Sequence, residues 1–160
     1  MSYRISRRQS SINPDEQSDP IFVIDEDTAY LVSIAARLFS KALKNRFSDY
    51  GTTTGQWPLL LSLWEEDGLT QRQLSNRVQI EEPATTRTLD RMERDGLVSR
   101  IRDKDDRRRI HIFLTKRASE LKDELIPYAK EVNARATHGL SEQDKAKANS
   151  LLTYIIARLE

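Results

Sequence analysis

A mainly helical fold carrying one small β-hairpin is what this sequence predicts, and three observations predict it. Apolar residues recur at helical spacing over three long stretches, one near the start and two near the end of the chain. Between residues 54 and 95 the helical pattern breaks into short blocks, punctuated by Gly68, Pro83 and Gly96. After Gly96 the period changes from helical to alternating, in LVSRIR, then a polar tip, then RIHIFLT.

The elements follow in order. Residues 1–20 (MSYRISRRQSSINPDEQSDP) are polar and lack apolar periodicity, so burial cannot offset the entropy of ordering them, and a mobile arm is expected. Its Arg4, Arg7 and Arg8 either idle in solvent or touch an anion. From Asp27 a helix is predicted, with Leu31, Ile34, Ala35, Leu38 and Ala42 on one face and Phe39, Leu43 and Phe47 in a second stripe. Apolar over so much of its girth, that helix needs cover on more than one side. Residues 54–66 (TGQWPLLLSLWEE) form a short buried helix containing Trp57 and Trp64, ended by Asp67-Gly68. In LTQRQLSNRV, Thr70 and Gln73 have capping-box spacing, and Leu74 and Val78 face inward. Pro83 suits the first residue of the next helix, which runs to Asp95 with Gly96 as its left-handed stop. The hairpin follows, then a long helix between Thr115 and His138 whose Pro127 removes one backbone hydrogen bond and kinks it. A last helix, capped by Ser141, sets Ala148, Leu151, Leu152, Ile155, Ile156 and Leu159 at helical spacing.

Composition narrows the function classes. At 160 residues the chain can hold one domain, or two small lobes sharing a core. It has no cysteine, which removes disulfides, thiolate catalysis and thiol redox sensing, and its two histidines lack ligand spacing, so no metal and no cofactor is expected. No apolar run approaches the roughly 20 residues of a spanning helix, and no signal segment opens the chain, so a cytoplasmic protein is expected. The net charge of +1 conceals a local asymmetry: residues 98–117 hold eight Lys or Arg against three Asp. Concentrated positive charge on a near-neutral chain points to a polyanion. Glu65, Glu66 and Asp67 are paired carboxylates at a helix end and read as a solvated turn; with no phosphate loop and no nucleophile-plus-base pattern, an enzyme is not expected.

Helix, short turn, helix, then hairpin is the layout of a winged helix-turn-helix, whose second short helix enters the DNA major groove. On it the inward stripe is Thr85, Thr88, Leu89 and Met92, while Ala84, Arg87, Arg91 and Arg94 line the opposite side, with Thr86 and Asp90 on the flank. Pro83, Ala84 and Thr86 let the backbone come close, and Arg87 is the candidate for a bidentate guanine contact or a phosphate clamp. Arg91 and Arg94 either touch phosphate or pair with Asp90 or Glu93. Thr70 to Arg72 open the preceding helix and offer a phosphate free N–H groups, a hydroxyl and a cation. The charged tip DKDDRRR becomes a wing tip aimed at the narrow minor groove of A·T-rich DNA. Arg107 and Arg108 carry the charge, and Asp106 holds the Arg108 guanidinium in a fixed fork. The bland alternative is a solvated hairpin with incidental ion pairs, each worth under about 1 kcal/mol.

The run LTQRQLSNRVQIEEPATTRTLDRMERDGLVSRIRDKDDRRRIHIFLT resembles the DNA-binding core of the MarR/SlyA family of bacterial transcriptional regulators. The wing pattern D-x-R-x-x-x-[VI]-x-L-T is met by Asp106, Arg108, Ile112, Leu114 and Thr115, and EEPATTRTLDRMERDGLVSR resembles the SlyA-like branch. The match covers roughly residues 68–120; Glu82, a poorer N-cap than Ser or Asp, and the long polar arm depart from the family pattern.

The resemblance implies a homodimer in which the first and last two helices interlock, holding two winged domains over half-sites about 34 Å apart on a palindromic operator. Leu31, Ile34, Leu38, Leu151, Leu152, Ile155 and Leu159 are then assigned to the dimerisation lobe. The implied segments are 1–20 arm, 21–50 dimerisation helix, 51–115 winged helix-turn-helix and 116–160 C-terminal dimerisation helices. The resemblance further implies release from DNA by a small aromatic acid, phenolic compound or aromatic thioester, with Tyr30, Arg37, Arg46, Phe47, Trp57, Trp64 and Tyr128 as candidate contacts. Repression is the expected outcome of binding. The competing class is a winged-helix module for protein contact without ligand response, which has no need of Arg87, of Asp106 with Arg108, or of the basic segment.

Overall fold

The computed structural model describes residues 23–106 and 109–160. The expected arm, with Arg4, Arg7 and Arg8, lies outside them. Eight elements follow a short 3-10 turn at Ile24–Glu26: α1 (Thr28–Asp49), α2 (Trp57–Glu65), α3 (Gln71–Val78), α4 (Glu82–Arg94), β1 (Val98–Arg102), β2 (Ile110–Leu114), α5 (Lys116–Ala136) and α6 (Glu142–Leu159). This is the mainly helical, single-hairpin architecture the sequence predicts, a winged helix-turn-helix.

Two compact units are distinguished, one ending at Phe39 and one spanning Ser40–Glu160. In the first, Asp27 caps α1 by accepting the Tyr30 N–H at 2.7 Å. Leu31, Val32, Leu38 and Phe39 are exposed there and Ile34 is half-buried.

The core lies in the second unit. Leu59, Leu60, Leu63, Leu74, Leu89, Met92, Leu97, Ile112 and Leu125 are fully buried, and Phe47 joins them from the end of α1. Each such side chain contributes roughly 1.5–3 kcal/mol relative to exposure. The second helix begins at Trp57 rather than at residue 54. The reason is the buried Gln56, whose Oε1 accepts the Thr53 N–H and the Thr52 hydroxyl, each at 2.9 Å, and so closes a turn where the helix would have started. Its Nε2 donates to Asp95 Oδ2 at 2.9 Å, tying this turn to the far end of α4.

The capping box at α3 is present in full: Thr70 Oγ1 accepts from Gln73 N, and Gln73 Oε1 accepts from Thr70 N at 2.8 Å. The next helix starts one residue earlier than expected, with Glu82 inside it, Pro83 second and Glu81 as a cap that makes no side-chain bond. Proline is tolerated there because the first helical N–H groups have no intrahelical acceptor. Gly96 takes the left-handed conformation, φ 68°, and the Leu97 N–H closes onto the Met92 carbonyl at 2.8 Å.

The hairpin is antiparallel, in register from Val98 with Leu114 to Arg102 with Ile110. The loop between α2 and α3 lies along the other side of β2. Gly68 N–H donates to the Ile112 carbonyl at 3.0 Å, Ile112 N–H to the Leu69 carbonyl at 2.9 Å, and Leu114 N–H to Asp67 Oδ1 at 2.9 Å. Thr115 caps α5, which continues through Pro127, and Ser141 caps α6. No residue of α6 is buried: Leu151, Leu152, Tyr154, Ile156 and Leu159 are exposed and Ile155 is half-buried.

Candidate nucleic-acid interface

The inner stripe of α4 is as expected, Thr85, Leu89 and Met92 being buried and Thr88 half-buried. Its outer side carries Arg87, Arg91 and Arg94, all exposed, with Pro83 exposed and Ala84 half-buried at the helix start. Arg94 Nε lies 3.5 Å from Asp95. Among the described residues, Arg87 and Arg91 have no ion-pair partner. The alternative pairing of Arg91 or Arg94 with Asp90 or Glu93 is not what forms. Both acids are taken by Arg100, which reaches over from β1 to Asp90 at 2.6 Å and Glu93 at 2.9 Å, and to the Thr86 carbonyl at 3.4 Å. A cation counted in the basic segment is thus a clamp between wing and helix.

Thr86 is half-buried, and its hydroxyl is occupied, donating to the Glu82 carbonyl at 2.8 Å and accepting from Gln71 Nε2 at 2.7 Å. Gln71 therefore fixes α3 against α4. The Thr70 hydroxyl, expected to be free for phosphate, is spent inside the capping box, donating to Gln73 Oε1 at 2.7 Å. What the start of α3 still offers is its first backbone N–H groups and Arg72, 4.0 Å from Glu82 with its side chain 82% exposed. The carboxylates at the end of α2 are not simply solvated. Glu65 and Glu66 both bind Arg77, at 2.7 and 2.9 Å, and Asp67 holds the Leu114 N–H.

At the wing tip, Arg107 and Arg108 lie outside the described residues, and the expected fork between Asp106 and Arg108 with them. Asp106 Oδ2 lies 3.3 Å from Arg109 Nε. The tip is organised by Asp103, whose Oδ1 accepts the N–H groups of Asp105 and Asp106 at 2.8 and 3.1 Å. Those two bonds, with His111 beside it, hold its carboxyl well below the usual carboxylate range, at about 2. Arg117, also in the basic segment, is held on the surface by backbone: Nη1 donates to the Asp95 carbonyl and Nη2 to the Tyr50 carbonyl at 2.9 Å. Arg102, Lys104, Arg109, Lys116 and Arg117 are the exposed basic residues of that segment among those described, and of these Arg117 is spent on backbone carbonyls. An open cleft of about 670 Å³ lies between the start of α3 and β2, bordered by Arg72, Glu82, Arg109 and His111.

The candidate effector contacts divide between the two units. Tyr30, half-buried, and Arg37, exposed, belong to the first. In the second, Phe47 is a core residue, 0% exposed and 4.8 Å from the Trp57 ring, which in turn meets Trp64 edge-on at 5.6 Å. A ligand reaches Phe47 only by repacking the core, because the side chain is wholly enclosed in it. Trp64 Nε1 donates to the Ala118 carbonyl at 2.9 Å. Arg46 lies over the rings of Tyr50 at 5.0 Å and Tyr128 at 5.8 Å, and Tyr128 donates to the Ala42 carbonyl at 3.1 Å. Tyr50, absent from the sequence reading, donates to Glu124 Oε2 at 2.7 Å, a bond that raises its pKa. Among the described residues no three His, Asp or Glu gather to hold a metal, and no helix is long and apolar enough to cross a membrane.

Residues 52–110 match the model of the MarR family. The chain is 32% identical over 118 residues to the HTH-type transcriptional regulator TtmR of Methylorubrum extorquens (strain PA1), a match covering 74% of this chain and 60% of that protein. It thus spans about three-fifths of that relative's length. Its fold is similar to that of a MarR transcriptional regulator from Methanosarcina mazei Go1, with TM-score 0.75, 28% identity, and coverage of 82% of this chain and 95% of that one. It is also similar in fold to a MarR family regulator from Listeria monocytogenes complexed with 26mer DNA, with TM-score 0.78, 20% identity, and coverage of 84% and 89%. With the helix pair, the clamped hairpin and the matched segment in agreement, residues 52–110 are a MarR-family domain set in a winged helix-turn-helix fold.

Proposed function

We propose that the chain regulates transcription in the cytoplasm by binding double-stranded DNA as a homodimer, most simply as a repressor on an A·T-rich palindromic operator. The observation that carries this is the outer side of α4, where Arg87 and Arg91 stand exposed, with no ion-pair partner among the described residues, on a helix that Arg100 joins to the wing beside it. Arg87 is placed to read a base edge, with Pro83, Ala84 and Thr86 admitting the backbone. Arg72, Arg91 and the open N–H groups of α3 serve phosphates. On this reading Arg108, steadied by Asp106, serves the minor groove, and Arg107 adds charge beside it. The fold is one that the Listeria protein presents to a 26mer DNA.

In this reading residues 21–50 and 116–160 form the dimerisation lobe and 51–115 the reading head. The exposed Leu31, Leu38, Leu151, Leu152 and Leu159, with Ile34 and Ile155, are what a second copy covers. An aromatic acid, phenol or thioester binding near Arg46 and Tyr128 shifts the two heads out of register with the groove.

The test is binding of A·T-rich palindromic duplexes at rising salt. A steep loss of affinity is expected, reflecting several neutralised phosphates. Binding that ignores salt, or no duplex binding at all, rejects the reading and leaves a protein-contact module in its place.

A further inference from the structure

Resting on the regulator reading, we infer that His111 is a positioning residue of the wing: as a doubly protonated ring it ties the hairpin tip to the loop before α3 and so sets where the tip's arginines fall. Its Nδ1 is 2.8 Å from the Gly68 carbonyl oxygen and its Nε2 is 3.0 Å from Asp103 Oδ2. Both partners are acceptors. A neutral imidazole has one N–H and can serve only one of them, leaving lone pairs opposed at the other; the imidazolium serves both. Asp103 is fixed as a carboxylate by the two N–H groups on its other oxygen. Its own N–H donates to the Arg109 carbonyl at 3.0 Å, and Arg109 N–H donates to the Asp106 carbonyl at 2.9 Å. The chain of bonds therefore runs from Gly68 through the ring and Asp103 to Asp106 and Arg109, which bracket Arg107 and Arg108 in the sequence.

The charges around the ring leave Asp103 as its counterion. Arg109, immediately before β2, is engaged with Asp106 at 3.3 Å. Across the cleft, Arg72 of α3 and Glu82 of α4 lie 4.0 Å from each other. From β2 the Phe113 ring stands 6.4 Å away and carries no charge. The Gly68 carbonyl, and then Asp103, raise the His111 pKa above 6.5. The sign follows. The imidazolium's contribution is complete below the ordinary histidine value and fades as pH climbs through the raised folded one; that of Asp103 is complete above its ordinary value and fades only as pH falls towards about 2. Wing placement is thus intact on the acid side of the ring's titration and loosens on its alkaline side.

The experiment pairs ring nitrogen NMR of the full chain with binding to an alternating poly(dA-dT) duplex from pH 6 to 9, with His138 as the internal reference. Both His111 nitrogens protonated at pH 7, with duplex affinity falling roughly tenfold as that ring titrates, is the expected result, one charge-assisted bond being lost. Asp103→Asn keeps one oxygen for the turn and sets an NH2 against Nε2, which a neutral ring accepts while Nδ1–H still serves Gly68, so the alkaline loss disappears and protonation of the ring instead weakens binding on the acid side. His111→Ala flattens the profile at the weak alkaline level. A neutral ring at pH 7, or a profile that His111→Ala leaves unchanged, overturns the assignment. A protonated ring with no duplex bound at any pH instead overturns the regulator reading, and the positioning role with it.

Discussion

Gln56→Glu isolates the buried joint between the α1–α2 turn and the end of α4. The side chain is 2% exposed and makes three hydrogen bonds, accepting from Thr52 and Thr53 and donating to Asp95. The exchange keeps the shape and the acceptor oxygen and replaces the donor with a carboxylate 2.9 Å from Asp95 Oδ2. Full like-charge repulsion at that distance is not realised, because the introduced carboxyl takes a proton first. Its cost is then capped by the rise in its pKa: from about 4.3 to about 7 at about 1.36 kcal/mol per unit is roughly 3.7 kcal/mol. Arg94, 3.5 Å from Asp95, whose side chain is 31% exposed, offsets part of this. A loss of about 2–3 kcal/mol at pH 7.5 is expected, or a fall in Tm of roughly 5–10 °C. The folded-state pKa is raised, so the penalty is full above it and fades as pH falls to the unfolded value, where the protonated group donates to Asp95 again. Urea unfolding of wild type and variant at pH 5 and 7.5 decides the matter. Equal stability at pH 7.5, or the same deficit at both pH values, refutes the reasoning.

Arg100→Ala removes both pairs to α4 from a side chain only 20% exposed; about 1–2 kcal/mol of stability is expected to go, while a loss below a few tenths in urea unfolding contradicts the clamp. Arg87→Ala is expected to leave the fold intact and relax base preference by about 1–3 kcal/mol; a uniform loss over all duplexes makes it a phosphate contact instead. Arg108→Ala is expected to weaken operator binding with unchanged thermal stability, and equal affinity removes the minor-groove role. Leu152→Asp introduces charge on the exposed face of α6, so sedimentation at micromolar concentration is expected to move from dimer to monomer; an unchanged profile rejects that face as the dimer contact.

The fold was legible in the sequence wherever local physics decides it. Periodicity placed all the long helices, Ser141 and the Thr70 to Gln73 pair carried their caps, and Gly96 marked a φ that other residues rarely take. What escaped were side chains whose partners lie far along the chain. Arg100 and Arg117 are indistinguishable in sequence from Arg102, yet one clamps α4 and the other binds the carbonyls of Tyr50 and Asp95. Charge counting pooled all of them into one segment facing a polyanion, which overstates the free charge of the segment. Gln56 offered no signal, since a glutamine before a tryptophan looks like helix. His111 did: it breaks the apolar run of Ile110, Ile112 and Leu114 with a titratable ring. Its two acceptors, 43 and 8 residues away, became visible only once the hairpin and the α2–α3 loop were in place.

The residues from Asp67 to Thr70 have a colloidal consequence. A two-stranded ribbon normally leaves both flanks able to recruit a stray chain. By occupying the Ile112 and Leu114 backbone groups, this short loop seals the flank of β2, and the remaining strand, β1, ends in the exposed, cationic Arg102. The wing can therefore stand away from the body as a reading device without becoming a seed for intermolecular sheet growth.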